Sequence, residues 1–208
     1  MRTLIIGDIH GCYDELRFLV DKFRPERKDR IITVGDVINR GPESYKCIEY
    51  IKELKAVSVM GNHEHWYLKC YPFSDNTVTS FSFRRLEIED HIDWIRSLPY
   101  YYITDSFVVV HAGFNPVLAF QDNQHDLLVS VRTLERTSAP WFDDYHGAKH
   151  IYFGHWAKLG LFFGKNVTNL DSGCVYGGSL SGYIVEENRL LQIPAKKVYH
   201  SIYDETLQ

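Results

Sequence analysis

The stretch "RIITVGDVINRG" (30–41) decides how this chain is to be read. Its first five residues, RIITV (30–34), are a short apolar run rich in β-branched side chains, the pattern of a buried strand. Gly35 ends the run, and a carboxylate, an amide and a guanidinium (Asp36, Asn39, Arg40) follow before the next glycine, Gly41. In an open α/β sheet the ligand site lies beyond the carboxyl ends of the strands, so polar groups placed there stand where chemistry is done.

The same pattern recurs on both sides of this stretch. TLII (3–6) is a strand that runs into GDIHG, which carries Asp8 and His10. YDELRFLVDKF (13–23) then sets Leu16, Leu19, Val20 and Phe23 on one helical face. PESYKCIEYIKEL (42–54) predicts a second helix with proline near its first turn, AVSVM (56–60) a third strand, and HEHWYLKC (63–70) a third helix. Strand, loop and helix repeated three times are the signature of parallel crossovers. EDHIDWIRSL (89–98) predicts another helix, stopped by Pro99. SFVVVHAG (106–113) is a strand that delivers His111. The C-terminal third reads as β-rich: HIYFGH (150–155) delivering His155, NVTNLDSG (166–173), LSGYIVEENRLLQI (180–193) with a hairpin at EEN, and KVYHSIY (197–203). With no repeat and no linker, the expectation is one α/β domain over 1–208.

Composition narrows the partners. The chain has 208 residues, 45% hydrophobic and 14% aromatic, enough for one sizeable core. A net charge of -4 argues against a nucleic-acid duplex or a membrane surface as the main partner. No run is long enough to span a bilayer. Cys12, Cys47, Cys70 and Cys174 show no CxxC spacing and read as reduced thiols, and because the first residues enter a strand at once no leader is expected. A cytoplasmic protein with no obligate partner is expected.

Five strand ends therefore carry metal-capable or phosphate-capable groups: Asp8 and His10, Asp36 and Arg40, Asn62 and His63, His111, and His155. Carboxylates mixed with imidazoles suit a pair of divalent transition ions better than a lone magnesium or calcium. The ordered set GDIHG, GDxxxRG, GNHE, HAG and GH resembles the phosphoprotein phosphatase branch of the calcineurin-like metallophosphoesterases, over about residues 3–186. With DSGCVYGG (171–178) and the short chain, it looks most like the lambda-phosphatase-type bacterial and phage enzymes.

That resemblance implies two mixed β-sheets packed as a sandwich, flanked by helices, with a two-metal site at the strand ends. Carried over by residue, Asp8 and His10 hold the first ion, Asp36 bridges both with one oxygen for each, and Asn62, His111 and His155 complete the second. Manganese is the expected metal, with iron and zinc as alternatives. The implied reaction is direct attack on phosphorus by a hydroxide bridging the ions. Arg40, Asn62 and Arg132 bind the phosphoryl group, and His63 is the general acid. The leading substrate class is a phosphorylated protein, on Ser, Thr and Tyr. Symmetrical dinucleoside tetraphosphates are the alternative, disfavoured because a dinucleotide calls for base-binding surface and the chain is short. A catalytically silent phosphate-binding module ranks last.

Asn39 stands where the family has an aspartate partnered with the histidine of GNHE. Its amide oxygen is expected to accept a hydrogen bond from His63, but it brings no charge, so the imidazolium is disfavoured and acid catalysis weakened. Activity should survive on esters with good leaving groups. Asn39→Asp is accordingly expected to raise turnover on alkyl phosphates more than on p-nitrophenyl phosphate. Equal gains in a steady-state comparison of the two would contradict this.

Overall fold

In a computed structural model, which describes residues 1–73, 83 and 86–201, strand β1 (Thr3–Ile6) is buried along its whole length. It pairs in parallel with β2 (Arg30–Thr33), Ile5 opposite Ile32, and β2 pairs in parallel with β3 (Val57–Ser58). On its other side β1 runs antiparallel to β9 (Ser179–Ile184), itself paired with β10 (Arg189–Pro194). The first sheet is thus mixed, in the order β10-β9-β1-β2-β3.

The second sheet is also mixed. Its order is β4-β5-β6-β8-β7, from β4 (Tyr101–Ile103), β5 (Phe107–Val110), β6 (His150–Phe153), β7 (Phe162–Phe163) and β8 (Val167–Asn169). The sheets meet face to face through Ile5, Ile32, Val34 and Val59 from one side and Phe107, Val109, Tyr152 and Leu170 from the other. Helices α1 (Tyr13–Phe23), α2 (Ser44–Glu53) and α3 (Asn62–Cys70) cover the outer face of the first sheet with Leu16, Leu19, Phe23, Ile48, Ile51 and Tyr67. Burial on both faces explains why these strands are unbroken apolar runs rather than alternating ones. The expected α/β sandwich of two mixed sheets flanked by helices is the observed fold.

Several predicted elements change. EDHIDWIRSL divides into a 3₁₀ turn, Glu89–His91, and a short helix α4 (Ile92–Arg96). AVSVM contributes only two residues to β3. KVYHSIY is not a strand over its described residues: the N–H groups of Tyr199 and His200 both donate to the Val175 carbonyl, and the Tyr199 hydroxyl donates to Glu15. Those bonds leave no ladder to form. The segment SAPWFDDYHG (138–147) packs against the second sheet, with Trp141 fully buried beside Phe114 and Phe153. All four cysteines are free. Among the described residues no helix is long and apolar enough to cross a membrane.

Because β1, β2 and β3 are parallel to one another and β5 is parallel to β6, the loops that leave their carboxyl ends gather in one place. Their backbone is strained there. His10, Asp36, Asn39, Arg40 and His155 all have positive φ, the left-handed region that non-glycine residues avoid. One buried side chain holds the central loop in that shape. The Glu64 carboxylate, in the first turn of α3, accepts N–H bonds from Gly61 (3.1 Å), Asp36 (3.0 Å), Val37 (2.8 Å) and Ile38 (3.1 Å). A Cβ on Gly61 would collide with both Asp36 and Glu64, so only glycine admits the two strand-end loops so close together. Glu64→Gln turns an NH₂ group toward N–H donors and is expected to lower stability to urea by about 1–3 kcal/mol. The exposed control Glu53→Gln should change it by under about 0.5 kcal/mol.

Candidate metal centre

Asp36 sits at the middle of the strand-end loops, fully buried. Its Oδ1 accepts the His63 N–H at the start of α3 (3.0 Å). Its Oδ2 lies 3.5 Å from His10 Nε2 and 3.4 Å from His111 Nε2. One oxygen alone therefore faces both imidazoles. The other oxygen, Oδ1, meets the backbone at the start of α3, so the carboxylate presents Oδ2 to the two rings.

Each histidine around it is oriented by a backbone carbonyl. His10 Nδ1 donates to Ile38 (3.1 Å), His111 Nδ1 to Val34 (2.8 Å), and His155 Nε2 to Ser130 (3.1 Å). A carbonyl can only accept, so each ring carries its proton on that side and presents a lone pair on the other. Those lone pairs point inward. Asn62 Oδ1, itself an acceptor, lies 2.9 Å from His111 Nε2 and 2.7 Å from His155 Nδ1. Acceptors facing acceptors at such distances repel unless a cation lies among them, and neutral imidazoles backed by carbonyls are the usual metal-ligand arrangement.

Burial also keeps the rings neutral, pushing His111 down to about 4 and His10, His63 and His155 well below their ordinary value. Ligand atoms of Asp36, His111 and His155 fall within 4.8 Å of one another, as do those of His10, Asp36 and His63. The donor set fits two divalent ions.

Asp8 completes the wall of the cleft. Both its oxygens accept the His155 N–H (3.2 and 3.0 Å), and a Cβ on Gly154 would strike Oδ1, so the turn before His155 requires glycine. Sequence reasoning passed over Asp171, which lies in the quoted DSG segment. Its buried carboxyl lines the same cleft and accepts the Gly173 N–H (3.1 Å). Burial raises the carboxyls of Asp8, Asp36 and Asp171 above the usual range, and for Asp8 the neighbouring Asp171 and Asp36 add to it.

Two guanidinium groups reach this cleft of about 280 Å³. Arg40 donates to His10 Nε2 (2.9 Å), and Arg132 to the His155 carbonyl (3.1 Å). Arg132 is not a helix-surface residue, because helix α5 (His125–Leu128) has already ended. Trp156, Lys158 and Tyr176 line the cleft with them.

The contact between Asn39 and His63 differs from expectation. The Arg40 N–H donates to Asn39 Oδ1 (2.7 Å), and a backbone N–H can only donate, so the amide oxygen is taken. Asn39 Nδ2 therefore faces the ring and donates to His63 Nδ1 (2.9 Å). His63 is thereby held as the neutral tautomer, with its proton on Nε2. Of the other histidines, His65 turns away to Asp126 (2.6 Å) and Tyr100 (2.9 Å), and His150 to Thr168 (2.8 Å).

Residues 1–170 match the family model for calcineurin-like phosphoesterases. A protein of Aromatoleum aromaticum is 30% identical over 95% of this chain and 98% of its own length, and one of Nitrosospira multiformis is 27% identical over 92% and 95%. Both are named symmetrical bis(5′-nucleosyl)-tetraphosphatases. Their alignments run over 269 and 262 positions, so these relatives carry segments that this chain of 208 residues lacks. A crystal structure described as that of a candidate diadenosine tetraphosphatase superposes with a TM-score of 0.83 at 29% identity, covering 93% of each chain. A yeast serine/threonine phosphatase shares the fold alone, at 18% identity and a TM-score of 0.61.

The lambda-type Ser/Thr protein phosphatase expectation is therefore not supported. The metal motifs are common to both branches and do not encode the substrate, and a short chain does not exclude the tetraphosphatase branch. Matched over most of its length, with the donor set in place, the chain belongs to the calcineurin-like phosphoesterases.

Proposed function

We propose that this protein hydrolyses the phosphoanhydride of dinucleoside polyphosphates, splitting diadenosine tetraphosphate symmetrically into two molecules of ADP. The names of its relatives support this, and the observation that carries it within the chain is the Asn39–His63 contact. An alkoxide leaving a serine phosphate needs a proton, which a histidine backed by a carboxylate can deliver. His63 is backed by an NH₂ group and holds its only proton on Nε2, so it is a hydrogen-bond donor rather than an acid. A nucleoside diphosphate needs no such acid: it departs as a phosphate whose second pKa is about 6, already stable as an anion at neutral pH.

In this reading Asp8, His10 and Asp36 would hold one divalent ion and Asp36, Asn62, His111 and His155 the other, manganese being proposed. Two such ions supply an activated water and neutralise charge on the phosphoryl oxygens. Arg40 and Arg132 clamp the remaining oxygens as planar forks. His63 Nε2–H steadies the oxygen that leaves, and the buried Glu64 keeps the Asp36 loop in register.

The manganese-loaded protein, given diadenosine tetraphosphate and a phosphoserine peptide in parallel, is expected to release ADP alone from the first and to act poorly on the second. ATP with AMP among the chromatographed products, or preference for the peptide, would overturn the reading.

A further inference from the structure

The cleft is bordered from each sheet by the same two kinds of side chain. From the first sheet come Arg40, in the loop after β2, and Tyr176, just before β9, with the guanidinium 5.5 Å from the ring centre. From the second come Arg132, in the segment between β5 and β6, and Trp156, which directly follows His155. Arg40 bonds the imidazole of His10, and Arg132 the carbonyl of His155, so the two pairs are seated on different ligands of the centre. Both rings are half-buried and line the cleft, whereas Trp141 and Tyr67 are fully buried in the core.

Trp156 is anchored through its backbone: its main-chain N–H donates to the Gly154 carbonyl (2.8 Å) and its carbonyl accepts from the Asn169 amide (3.1 Å), while the Phe142 ring centre lies 6.2 Å from that of its own ring. A phosphoryl group on its own would use neither ring. A molecule with a polyphosphate in the middle and a flat base at each end would use both.

Resting on the tetraphosphatase reading, we infer that the cleft is bipartite: Arg40 with Tyr176 takes one nucleotide half and Arg132 with Trp156 the other, each ring serving as a stacking platform for a base. Lys158, exposed beside Trp156, adds charge for the outer phosphate of that half. Every base has a π-face, so stacking of this kind discriminates little between bases. Diguanosine and diadenosine tetraphosphates should then be comparable substrates, and no separate base pocket is needed in so short a chain.

The test is steady-state kinetics of the manganese-loaded protein and its Trp156→Ala, Tyr176→Ala, Trp156→Phe and Tyr176→Phe variants. Substrates are diadenosine tetraphosphate, diguanosine tetraphosphate and p-nitrophenyl phosphate. Each alanine variant is expected to raise KM for both dinucleotides by about tenfold, with kcat changing far less. The phenylalanine variants should recover most of that loss, and p-nitrophenyl phosphate should suffer much less. Equal losses on all three substrates would mean that the rings merely support the metal centre, and no loss on any would mean that they touch no base; either overturns the inference. If the unaltered protein fails to split diadenosine tetraphosphate, the functional reading falls and the bipartite cleft with it. If it splits that substrate and the ring variants match it, only the bipartite cleft falls.

Discussion

Four carboxyl groups, Asp8, Asp36, Glu64 and Asp171, are buried around one cleft, and the rest of the molecule is arranged around that fact. Two like charges about 4 Å apart repel by about 4 kcal/mol at an effective dielectric of 20. Four backbone N–H bonds offset part of this at Glu64, although burial and the neighbouring Asp36 still push its carboxyl up to about 7. The other three do not have that many, and Arg40 and Arg132 at the rim are too few to offset them. Such a cluster is tolerable in water only if it is protonated or if cations sit within it. The same repulsion that threatens the fold is what gives the centre its affinity for doubly charged ions.

Geometry is maintained against a second cost. Five residues of the centre hold left-handed backbone, each less stable than an ordinary conformation by about 1–2 kcal/mol. The bonds of Glu64, the carbonyl anchors of the three histidines and the tight glycine approaches over-determine these loops, so the strain persists instead of relaxing. Ligands placed in this way need little rearrangement when an ion arrives.

Much of this was legible in the sequence. Apolar runs located β1, β2, β5 and β6, all but β5 ending in glycine, and helical periodicity located α1 and α2, because burial on both faces and on one stripe leaves those patterns. The ligands at their ends followed from position. What was not legible depends on contacts between distant parts. Asp171 carries no periodic signal, and Glu64 reads as one more acid in GNHE until its four donors are seen. The orientation of the Asn39 amide is set by the Arg40 N–H, a bond no pattern announces. Substrate class was misjudged from chain length, whereas the asparagine already favoured a leaving group that needs no proton.

One pairing bears on how the molecule is made. Strand β1 takes an inner place in its sheet only when β9, some 180 positions later in the sequence, pairs beside it. Until then one edge of β1 is open, and Asp8 and His10 wait on a half-built scaffold for His155. The centre is thus assembled from contacts far apart in sequence, and a capacity to hold ions is expected only once that long-range pairing has formed.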